Sequence, residues 1–166
     1  MKKILLISIM LCSLFYACAD KEKENAVKYN DAVIKEVDKA DSIIQVLFAF
    51  EIFDRFPEEQ QKLLLEFNIS KNNLVNIAPM KEDDSLRLGA IELVDSYTNI
   101  LNAEYQNIYD IMHDSVYTAS DSVTVDSLMF AMYNKWEIES GKIAVQQKRF
   151  ADRYDIMLDD KRESAK

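Results

Sequence analysis

The residues that could do chemistry are few. The only histidine, His113, follows Asp110 by three positions, which puts a carboxylate and an imidazole on one helical face where they could share a metal. Helical di-iron sites need two Glu-x-x-His pairs and two further glutamates. This chain has no Glu-x-x-His and no second histidine. His113 therefore reads as a surface histidine near a helix end, and no metal is expected. A serine nucleophile would need a base and a strained elbow, yet no serine sits in Gly-x-Ser-x-Gly. No glycine-rich phosphate loop and no Cys-x-x-Cys-His haem attachment occur, so neither phosphate-cradling nor haem chemistry has a foothold. The expectation is a protein that is not an enzyme and carries no cofactor.

A second pattern is the dipeptide Asp-Ser. Six of the twelve serines follow an aspartate, and five of those six precede Ile, Leu or Val: Ser42, Ser85, Ser115, Ser122 and Ser127. This resembles the Asp-(Ser/Thr)-aliphatic acceptor of a general O-glycosylation system acting on exported proteins of some Gram-negative bacteria. Helix capping competes with that reading, because both residue types are favoured at helix starts. Capping accounts for Ser85 and Ser127. Ser115 and Ser122, expected in one loop, are the better acceptors because a transferase needs extendable backbone. Val116 and Val123 should then be exposed. Ser42 falls in mid-helix and ranks last.

The third candidate is apolar. From Ile43 to Phe53 nearly every residue is hydrophobic, more than one buried stripe requires. Burial on several sides, helped by Phe56 and Phe67, is one account. A partner surface or an apolar ligand slot formed by Phe48, Phe50, Phe53 and Tyr97 is the other. A cavity of about 300 Å³ or more lined by Phe48, Phe53 and Tyr97 would favour a ligand carrier. A closed core would favour an interaction module.

The chain begins with Lys2 and Lys3, then runs uncharged and apolar from Ile4 to Phe15. That run is shorter than the about 20 residues a membrane-spanning helix needs and matches a secretory signal. It exits through Phe15-Tyr16-Ala17-Cys18, which resembles the lipobox of bacterial lipoproteins. The resemblance implies cleavage before Cys18 and acylation of its thiol. Phe15 and Tyr16 depart from the usual Leu-(Ala/Ser). Cleavage after Ala19 is the competing outcome, since Ala17-Cys18-Ala19 also fits the A-x-A rule. A lone Cys18 thiol in an oxidising compartment would be odd, whereas a lipidated one needs no partner. Ala19, rather than Asp, directly after the cysteine implies the outer membrane in that class.

These segments hang on a helical frame. Two glycines and two prolines make a turn-rich β architecture improbable. Apolar residues recur at alternating steps of three and four in four stretches, with helices expected near 24–55, 57–77, 84–113 and 124–158. The stripes are Val33, Val37, Ala40, Ile44 and Leu47; then Leu63, Phe67, Leu74 and Ile77; then Leu86, Ala90, Leu93, Tyr97, Leu101, Ile108 and Met112. The last is Met129, Tyr133, Trp136, Ser140, Ile143, Gln147, Phe150, Tyr154 and Met157. Pro57 suits a first helical turn, and 114–123 reads as a loop. Residues 1–17 form the signal peptide, 18–25 the acylated cysteine and a charged tether, 26–160 the domain, and 161–166 a frayed tail. The fold expected is an all-α, antiparallel up-down four-helix bundle.

Without residues 1–17 the chain has 18 basic and 29 acidic residues, a formal −11. Such a body repels nucleic acid and anionic surfaces. Cys18 with its tether, Tyr29-Asn30-Asp31 and Gln146-Gln147-Lys148-Arg149-Phe150-Ala151 together resemble the small all-helical surface lipoproteins of Gram-negative bacteria. That resemblance brings no catalytic residues. It implies a lipid-anchored module of the cell envelope whose partners are the membrane, through its anchor, and another envelope protein.

Overall fold

The computed structural model describes the backbone of residues 2–158 and the side chains of residues 21–158. Cys18 and the tail at 161–166 lie outside the described side chains. The chain is helical, with no strand among the described residues. Its helices are α1 (Lys2–Phe48), α2 (Phe56–Asn76), α3 (Ser85–Ile100), α4 (Gln106–Met112) and α5 (Ala119–Tyr154). A π-turn at Leu101–Tyr105 joins α3 to α4 in one rod, so four long helical bodies share the core. No helix among the described residues is long and apolar enough to cross a membrane.

The first three stripes form the core. Val33, Val37, Ala40, Ile44, Leu47, Leu63, Phe67, Leu74, Leu86, Ala90, Leu93, Tyr97, Leu101 and Ile108 are all buried. Met112 is exposed, because the rod ends there. Residues 21–25, expected as a tether, are an exposed stretch of α1.

Helix α3 lies centrally and meets α1, α2 and α5. Tyr29 stacks on Phe150 at 5.1 Å and Phe48 meets Trp136 at 5.8 Å, linking α1 to α5. Lys71 bonds Asp95, and Gln60 donates to Gln106, linking α2 to the α3–α4 rod. Tyr97 donates to Asp41 at 2.6 Å and lies 3.0 Å from the Ser140 hydroxyl. Gly89 lies where α3 nears α5: a Cβ there would fall 1.8 Å from the Gln146 amide oxygen, so the Gln146 side chain would have to move.

Helix α1 runs from Lys2 rather than from near 24, and three other boundaries differ from those expected, each for a local reason. Helix α1 stops at Phe48 instead of running to residue 55. Phe50 takes a left-handed conformation (φ 54°), and Glu51 N–H closes back on the Val46 carbonyl. This is the Schellman closure, which ordinarily uses glycine. Helix α5 starts at Ala119, inside the expected loop, because Thr118 and Asp121 form a reciprocal capping box that satisfies free N–H groups. It ends at Tyr154 rather than 158. Asp155 is left-handed, and Ile156 N–H returns to the Ala151 carbonyl at 3.0 Å. The turn buries Ile156 and leaves Met157 99% exposed, against the expected stripe.

The α5 stripe also departs in its first half. Met129 and Tyr133 are exposed, while Val125 and Met132 are buried. A strict heptad spacing drifts about 20° per repeat on a straight helix, so the phase that fits Ile143 and Phe150 is lost toward Val125. The two polar interruptions find partners: Ser140 meets Tyr97, and Gln147 donates to Asn30 at 3.1 Å.

Candidate functional site

The apolar run at 43–53 folds into an aromatic end of the molecule. The left-handed turn at Phe50 reverses the chain, and a 3-10 turn at Phe53–Arg55 delivers Phe56 into the core. A left-handed conformation costs a β-carbon residue about 1–2 kcal/mol. Rings offset that cost. Phe50 lies 5.4 Å from Phe53 and 5.7 Å from Tyr105, and Phe56 meets Tyr105 edge-on at 4.8 Å. Phe53 also touches Tyr109 at 5.5 Å and His113 at 5.3 Å.

The other half of this end comes from the rod. The π-turn widens the helix by one residue, a device often found at functional sites. It buries Tyr105, while Glu104 reaches Lys135 on α5. Tyr105, Tyr109 and His113 recur every four residues and form one aromatic face. His113 stacks on Tyr109 at 4.0 Å, with Nδ1 3.0 Å from the Tyr109 carbonyl. The polar atoms here are poorly matched: Tyr105 OH, Trp136 Nε1 and Glu104 Oε2 are buried without a hydrogen-bond partner. Burial pushes the Tyr105 phenol up to about 12.

The four residues expected to share a slot do not. Phe48 packs toward Tyr133 and Trp136 on α5, whereas Phe50 and Phe53 pack toward the rod. Tyr97 is fully buried at the middle of the core, its hydroxyl taken by Asp41 and Ser140. Burial, then the neighbouring Asp41 carboxylate, raises its phenol far above the ordinary value. Two surface grooves occur elsewhere. One of about 420 Å³ lies between α1 and α2, lined by Ile43, Val46, Leu63 and Ile69 with Lys39 and Glu66. One of about 350 Å³ lies by Asn25, Pro79, Met80 and Tyr154. Neither is lined by Phe48, Phe53 or Tyr97. The residues that sequence reasoning passed over are Tyr105 and Tyr109, whose four-residue spacing with His113 was the available signal.

The Asp-Ser serines separate by environment. Ser115 lies in the exposed turn after α4, where the Asp114 carboxylate accepts from Val116 N–H. Ser122 is not in that loop but in the first turns of α5. Ser127 is no cap: it lies within α5, its hydroxyl donating to the Val123 carbonyl at 2.8 Å. Ser85 opens α3 and donates to Asp83 rather than capping the helix. Ser42, on α1, donates to the Asp38 carbonyl. Val116 and Val123 are both exposed. No group of three metal-ligating side chains occurs among the described residues.

Comparison with protein-family models, with curated proteins and with solved structures finds no match.

Proposed function

We propose that the protein is a lipoprotein of the cell envelope, cut before Cys18, acylated there, and acting as a non-enzymatic interaction module. The single observation that carries this reading is the basic start, short apolar run and Ala17-Cys18 exit, a combination a secretory signal explains and a folded core does not. Acyl chains hold a protein to a bilayer at about 0.8 kcal/mol per buried CH₂. Ala19 in place of Asp favours the outer membrane.

The geometry is consistent with such a role. The pairings Tyr29–Phe150, Gln60–Gln106, Lys71–Asp95 and Glu104–Lys135 support an antiparallel up-down order of the four bodies. Lys23 and Asp155 pair at the end nearest Cys18. The aromatic end lies the length of α1 away, about 40 Å at 1.5 Å per residue from Lys21 to Phe48. It would be held off the membrane, within reach of another envelope protein. Nucleic acid is not a partner on this reading, given the formal −11 charge.

Metabolic labelling with a palmitate analogue tests the anchor: wild type takes the label and Cys18→Ala does not. Equal labelling of both sinks the proposal. The O-glycan reading now rests on Ser115, because its backbone is an exposed turn and the other four serines are helical. Site mapping of native protein should find any sugar there before Ser122, Ser127, Ser85 or Ser42.

A further inference from the structure

Helix α5 has two apolar faces. Val125, Met132, Ile143 and Phe150 are buried on one. On the other, Val123 (66% exposed), Phe130 (67%), Ile138 (57%) and Val145 (61%) face solvent. Their steps of seven, eight and seven residues follow two helical turns, about 7.2 residues, so they form one stripe. Between them lies Gly141, at the solvent side of a 36-residue helix, where an added Cβ would meet nothing. A glycine inside a helix costs roughly 0.5–1 kcal/mol against alanine, and within this chain it packs against nothing in return. A bare glycine in an apolar stripe lets a second backbone approach closely.

The charges at the stripe select its occupant. Lys135 and Lys142, along one flank, are already paired with Glu104 and Glu139. Asp126 and Lys148, at the two ends, make no ion pair among the described residues. Laying a second α5 antiparallel across the first, centred on Glu137, sets Asp126 opposite Lys148 of the other copy, twice over by symmetry. The same register sets Phe130 opposite Ala144, one residue from Val145, and Asn134 opposite Ser140, one residue from Gly141, a large side chain against a small one each time. A parallel pairing would instead set Asp126 on Asp126 and Lys148 on Lys148. Charges on α5 balance, five basic and five acidic, whereas the remainder of the chain is strongly acidic. This face is where two copies can approach against the least repulsion.

We infer that the outer face of α5 docks a second copy of this chain, antiparallel, with Phe130, Ile138 and Val145 at the centre and Asp126–Lys148 pairs at the rim. The self-complementary patch is that of a two-fold dimer. It places the two Lys23–Asp155 ends at opposite ends of the pair. With both copies anchored as proposed above, the pair would join two bilayer surfaces rather than lie on one; the association itself is tested without reference to the anchor.

Sedimentation velocity of the full chain in detergent tests the pairing, with circular dichroism to confirm that each variant is folded. Wild type sediments as a dimer. Phe130→Asp, at an exposed position, keeps its helicity and melting temperature but weakens association roughly thirtyfold or more. Asp126→Lys and Lys148→Asp each weaken it about tenfold. An equimolar mixture of those two variants recovers wild-type association, because the mixed dimer has two rim pairs, one as in wild type and one reversed. A wild type that stays monomeric overturns the inference, as does a Phe130→Asp variant that associates like wild type. A mixture no tighter than its components overturns the antiparallel register.

Discussion

The two ends of the molecule are built on different physics. Where α2 and α5 end and α3 begins, directional bonds do the holding. Tyr29 donates to Asp84 at 2.8 Å, Arg87 grips the same carboxylate, Ser85 donates to Asp83 at 2.6 Å, and Arg153 donates to the Glu82 carbonyl at 2.8 Å. At the far end Phe50, Phe53, Phe56, Tyr105 and Tyr109 hold the turn by ring contact, around buried polar atoms without partners. Hydrogen bonds to charged groups fix geometry and respond to pH. Ring contacts give stabilising area in stacked or edge-on arrangements and carry no carboxylate to titrate. The bonded end depends on charge, whereas the aromatic end depends on buried area.

Substitutions can sharpen that contrast. The largest effect is expected at Phe56, fully buried among the rings. Phe56→Ala should cost about 3–5 kcal/mol in urea unfolding, as a lost core aromatic does. Asp84→Ala should cost about 1–3 kcal/mol by stranding Tyr29 and Arg87. This loss should also depend on pH. Arg87, then Tyr29, holds the Asp84 carboxyl below its ordinary value, and the bond from Ser85 does the same for Asp83. Groups with lowered folded pKa stabilise above the ordinary carboxylate range and lose that contribution as pH falls through it. The gap between wild type and Asp84→Ala should therefore narrow on acidification below about pH 4, while Phe56→Ala stays equally destabilised.

Smaller effects are expected at the strained turn. Phe50→Gly removes ring contacts but relieves a left-handed conformation worth about 1–2 kcal/mol, so the variant should unfold within about 1 kcal/mol of wild type. Tyr105→Phe removes a hydroxyl that has no partner, and stability should stay level or rise slightly. It should also soften alkaline unfolding. Tyr105 stays protonated in the fold up to about 12, while the unfolded phenol ionises near 10. Stability from this group is thus whole below pH 10 and falls as pH climbs toward 12. A Tyr105→Phe variant as unstable as Phe56→Ala would undo the contrast between the ends.

Much of this fold could be read from spacing. The stripes of α1, α2 and α3 and the turn at Pro57 follow from three-four periodicity and proline geometry, and the polar breaks at Ser140 and Gln147 marked real crossings. The end of α1 was hidden because phenylalanine, not glycine, occupies the left-handed closure, and no residue type announces that. The start of α5 was within reach, since Thr118-x-x-Asp121 is a capping box with aspartate in place of glutamate. The grouping of Tyr97 with Phe48 and Phe53 failed because burial type says nothing about height in the bundle. Tyr97 meets Asp41 and Ser140 through registers set by tertiary packing, fifty-six and forty-three residues away in sequence.

The proposed cleavage before Cys18 with acylation of its thiol is tested most directly by the intact mass of the native protein extracted from its host. The predicted mass is that of residues 18–166 plus acyl groups, with the acyl mass mapping to Cys18 and any sugar to the turn at Ser115. A chain beginning at Asp20 with no lipid, or an uncut and unacylated chain, would contradict it.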